Sequence, residues 1–116
     1  MRAEAPLSGD IMVKTDYLSG HKIYVTENSE YHLCEETCIA VRDLETHKWL
    51  QKHVALGQKI VGGIARSIKG GLVPHLGDPN VGEQVCFSEN VLTSCLQDIR
   101  KPSPTTVDSY PAFVFH

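Results

Sequence analysis

No stretch of this 116-residue sequence approaches the ~20 apolar residues that a membrane-spanning helix needs. The opening MRAEAPLSGDIM lacks the apolar run of a secretory signal. The expectation is a cytoplasmic protein with no membrane partner. Met12 would open a clean chain, so residues 1–11 are read as a disordered leader, 12–101 as a single domain and 102–116 as a tail.

Catalytic signatures are missing too. There is no Gly-x-Ser-x-Gly, which removes the hydrolase nucleophile elbow. The glycines at Gly62-Gly63 and Gly70-Gly71 lack the Gly-Lys-Ser/Thr ending of a phosphate loop and the Gly-x-Gly-x-x-Gly of a dinucleotide site. They read as glycines at the bends of a small barrel. Glu35-Glu36 are adjacent on a turn and point apart, so they do not converge as an acid–base pair. No cysteine sits in a recognisable catalytic context. No catalytic residue is assigned, and the chain is read as a small non-enzymatic binding or regulatory module with an unknown ligand.

Carboxylates are unevenly distributed. Residues 1–45 hold four basic and nine acidic groups, residues 78–116 two and five, and residues 46–77 five basic groups and no acid. Lys48, Lys52, His53, Lys59, Arg66 and Lys69 are therefore the candidate anion-binding residues, since a positive face draws anions over about 8–10 Å. Nucleic acid is one such ligand. The net charge of −3, the aromatic content of 7% and the single Trp49 weigh against it. Trp49 fits the centre of the core better than a base-stacking platform.

Four cysteines, in a cytosolic chain, are more readily free thiols or ligands than disulfides. His32, Cys34 and Cys38 are the candidate metal ligands. A turn at Glu35–Thr37 would face the two thiols across a hairpin beside an imidazole, the soft donors zinc takes. The Cys-x3-Cys spacing is loose, and no second close pair completes it. Zinc is the one cofactor considered, and the alternative is that these thiols are inert.

What is present is a rhythm of short segments. Turn residues recur at Asn28-Ser29, Glu35–Thr37, Gly62-Gly63, Gly70-Gly71, Gly77–Asn80, Glu89-Asn90 and Pro102–Pro104. Between them lie β-branched and aromatic stretches at 21–26, 31–34, 38–42 and 83–88. Asp43–Trp49 reads as a hairpin connection with His47 at a positive φ. Strands at about 48–56 and 59–66 are preferred to one helix, because Gly57, Gly62 and Gly63 would each cost a helix about 1 kcal/mol. Residues 69–82 read as a long loop, 91–99 as a strand and 101–108 as a tail of low order. The sum is a mainly β fold of 6–8 short strands, an antiparallel barrel or sandwich of SH3-like or OB-like size. The alternative is an α+β fold with a helix in 47–68 or 91–99. The apolar segment 110–115 is expected to dock as an edge strand or on a protein partner, and barrels of this size also pair as homo-oligomers.

Overall fold

A computed structural model describes residues 19–111. Among these residues eight strands follow in order: β1 (His21–Val25), β2 (Ser29–Cys34), β3 (Thr37–Asp43), β4 (Ile60–Arg66), β5 (Leu72–Leu76), β6 (Gln84–Phe87), β7 (Val91–Cys95) and β8 (Asp98–Arg100). They form two antiparallel four-stranded sheets, ordered β3-β2-β1-β8 and β5-β4-β6-β7. The mainly β sandwich is the expected class, and neither ambiguous segment becomes a helix.

Local turn chemistry explains the pairing. Cys34 opposes Thr37, so Glu35 and Glu36 form a two-residue loop with both φ values positive, 50° and 73°. That is the primed geometry matching strand twist. His47 has a φ of 61°, the position expected of it. Its turn is closed by the Asp43 carboxylate accepting from Thr46 N–H at 2.8 Å. Gly70, at φ 90°, turns β4 into β5, with Ser67 N–H donating to Gly71 O at 2.7 Å.

The core lies between the sheets. Strand alternation sends Tyr24, Tyr31, Leu33 and Val41 from the first sheet against Val85 and Phe87 from the second. The rings of Tyr31 and Phe87 stand 5.6 Å apart.

Four expectations fail. Residues 91–99 are not one strand: β7 ends at Cys95, and after Leu96 and Gln97 the chain joins the other sheet as β8. Residues 48–56 are not a strand: Trp49 makes one bridge to Arg42, and the chain then crosses between sheets in turns. These turns bury Ala55 and close on Gln58 N–H donating to Ala55 O. Residues 69–82 are not all loop, because Leu72–Leu76 pairs with β4; Pro74 is tolerated there because β5 is an edge strand. Residues 101–108 contain a short helix, α1 (Pro104–Asp108), with Pro at its start, Ser103 Oγ capping Thr106 N–H at 3.2 Å and Val107 buried. The leader and most of the 110–115 segment lie outside the described residues.

Candidate functional site

The two sheets treat their outer faces differently. On the first sheet, register places Glu30 opposite Arg42 and His32 opposite both Ile23 and Ala40, all on the face away from the core. His32 is fully buried. Its Nε2 lies 3.0 Å from Glu30 Oε1 and its Nδ1 2.7 Å from the Tyr110 hydroxyl. An ionised carboxylate only accepts, so Nε2 carries the proton and Tyr110 donates to Nδ1 of a neutral ring. The same Glu30 oxygen accepts from Arg42 Nε at 3.0 Å and Nη2 at 2.9 Å. The Arg42 guanidinium lies 5.0 Å from the Trp49 ring centroid. Trp49 and Tyr110 meet His32 edge-on at 4.9 Å and 5.1 Å.

Burial pushes the His32 pKa down, and Glu30 only partly offsets it. Burial pushes Glu30 upward, but bonds from His32 and Arg42 outweigh that and hold it low. This string of Tyr, His, Glu and Arg has the donor order of a proton relay. With its imidazole sealed from solvent, it acts as a fastener that seats Trp49 and Tyr110 over the first sheet.

Among the described residues, no segment covers the outer face of the second sheet in this way. Register puts Gly62, Leu76 and Cys86 in one row and Ile64, Pro74 and Gln84 in the next, with Arg66 opposite Leu72 and Leu92 opposite Cys86. Leu72, Leu76 and Leu92 are 58%, 83% and 49% exposed. Leu76 borders an apolar cleft of about 300 Å³, lined also by Val61, Ile64, Pro74 and Cys86. A polar cleft of about 330 Å³ adjoins it, sharing Ile64 and lined also by Glu27, Arg66, Gln84 and Gln97.

The two adjoining glycines are required here. A Cβ on Gly62 would lie 1.9 Å from the His75 carbonyl oxygen, and one on Gly63 2.5 Å from Glu83 Oε1. The space Gly63 leaves admits a staple from β5 to the following loop. His75 Nε2 lies 2.7 Å from Glu83 Oε1 and Nδ1 3.1 Å from Leu76 O. With acceptors at both nitrogens the ring favours its protonated form, and the Glu83 bond raises its pKa.

The residues singled out from sequence are dispersed. His32 and Cys38 lie on opposite faces of the first sheet. Cys38 is in the core with its thiol 3.7 Å from Ala40 O, and burial pushes its pKa up to about 12. Cys34 is half-buried at the hairpin end, its thiol pushed up by burial and by Glu35. Among the described residues no group of three or more His, Cys, Asp or Glu side chains could hold a metal ion. Lys48 sits in the turn after β3, Lys52 and His53 in the crossing segment, Lys59 ahead of β4, and Arg66 and Lys69 at the far end of the β4–β5 hairpin. The seven residue steps from Lys59 to Arg66 alone span about 23 Å. His53 is held neutral by burial and packs edge-on against Tyr31 at 5.6 Å.

Trp49 is half-buried on the outer face of the first sheet, not at the centre of the core. Sequence reading missed the Glu30–Arg42–Tyr110 set, because Tyr110 is 78 positions from His32. The one available signal was the Glu-x-His alternation within a strand, which puts both side chains on one face. No protein family, curated protein or solved structure matches the chain. Among the described residues no helix is long and apolar enough to cross a membrane.

Proposed function

We propose that this protein is a non-enzymatic interaction module that docks its partner on the outer face of the second sheet. The observation that carries this reading is the exposure of Leu72, Leu76 and Leu92 on one face, with an apolar cleft beside Leu76. Exposed apolar side chains gathered on one face mark interaction sites in folded proteins. The cleft is at the small end of ligand pockets and open, which suits a partner's side chains better than an enclosed substrate. The sealed state of His32 supports the non-enzymatic half of the reading, since a general base must reach its substrate.

The test is binding of anilinonaphthalene sulfonate to the native protein, at the lowest protein concentration that gives a signal. The dye should brighten in the presence of folded protein. Leu76→Lys should remove most of that signal without moving the melting temperature. A native protein that leaves the dye dark at every concentration removes the reading.

A further inference from the structure

Resting on that reading, we propose that the partner is a second copy of this chain, seated face to face on the second sheet about a two-fold axis. Arg66 and Glu27 line the same polar cleft, beside Ile64 and Leu72. Neither side chain has an ion-pair partner among the described residues, whereas Arg42 and Arg100 are each paired with a carboxylate. A two-fold interface is self-complementary: where residue i meets j of the second copy, j meets its i. One cation and one anion left unpaired on the same face satisfy that condition, because Arg66 of each copy faces Glu27 of the other.

Contact through the β5 edge is disfavoured, because Pro74 has no N–H to offer a further strand. Stacking of outer faces needs no backbone pairing. It places the apolar cleft at the centre and the Arg66–Glu27 pairs toward the rim, the usual anatomy of a protein interface.

The experiment is sedimentation velocity over a range of concentrations on the full chain and three variants. Wild type should show a reversible monomer–dimer equilibrium. Arg66→Glu and Glu27→Arg should each weaken it at least tenfold, by setting like charges opposite each other. The double variant R66E/E27R should recover most of the loss. Both positions are exposed, and a melting curve for each variant confirms folding. A monomer at all concentrations, a dimer indifferent to the single changes, or a double variant with no recovery overturns the proposal. A monomer that still brightens the dye through Leu76 would remove self-docking and leave the docking surface standing. A monomer that leaves it dark removes both.

Discussion

The outer faces of the two sheets show what a four-stranded sheet does with the side it turns away from the core. The first sheet covers that side with its own chain. Glu30 and His32 would be costly to bury alone, yet together with Arg42, Tyr110 and Trp49 their polar atoms find partners and a lid closes over them. The second sheet carries apolar side chains and unpaired charge outward and has no segment over them among the described residues. Polar groups on a covered face act as a specification for one particular lid. Apolar groups on an open face specify only that something must come.

That contrast can be broken from either side. Removing the carboxylate at the centre of the closed face should have the largest effect. Glu30→Ala leaves His32 and Arg42 without their shared acceptor and should cost about 3–4 kcal/mol, read from urea unfolding followed by tryptophan fluorescence. Next, Gly62→Ala should cost about 2–3 kcal/mol, because the added Cβ meets backbone that cannot swing aside. It should also splay the β4–β5 hairpin and raise hydrogen exchange there. Tyr110→Phe removes one hydroxyl and leaves Nδ1 of His32 unsatisfied, for about 1–2 kcal/mol. Leu76→Ser, on the open face, should change stability by no more than about 0.5 kcal/mol while abolishing docking.

Acid should act on the closed face. His32, His21 and His53 all have native pKa values lowered chiefly by burial. Groups held neutral in this way contribute fully above the unfolded value near 6.5, and the contribution is lost as pH falls below it toward the lowered native value. His75 runs oppositely: its raised value contributes below about 6.5 and is lost as pH rises through it. With three groups against one, the melting temperature should fall between pH 7 and pH 5, and His32→Gln should flatten the fall.

Much of the fold was legible because it is written locally. Alternation at Ile23/Val25 and Val85/Phe87 and the turn residues at Glu35-Glu36 mark strands and hairpins within a few positions. The hidden parts depend on distance. Ala55 belongs to the core because the crossing segment passes between sheets, which no periodicity records. β5 is concealed by its Pro and flanking Gly residues, and only its partner β4 makes it a strand. The acid-free stretch was visible in sequence. Its meaning was not: the cations disperse, and the informative one, Arg66, stands out only beside Glu27 across the fold.

The most direct test is carbene footprinting of the intact protein across a range of concentrations, with labelling resolved to single residues by mass spectrometry. The account predicts that labelling of Leu72, Leu76 and Leu92 falls as concentration rises, while Trp49 and Tyr110 stay equally shielded throughout. Labelling of the three leucines that does not change with concentration, or shielding that appears at Trp49 and Tyr110 instead, would contradict it.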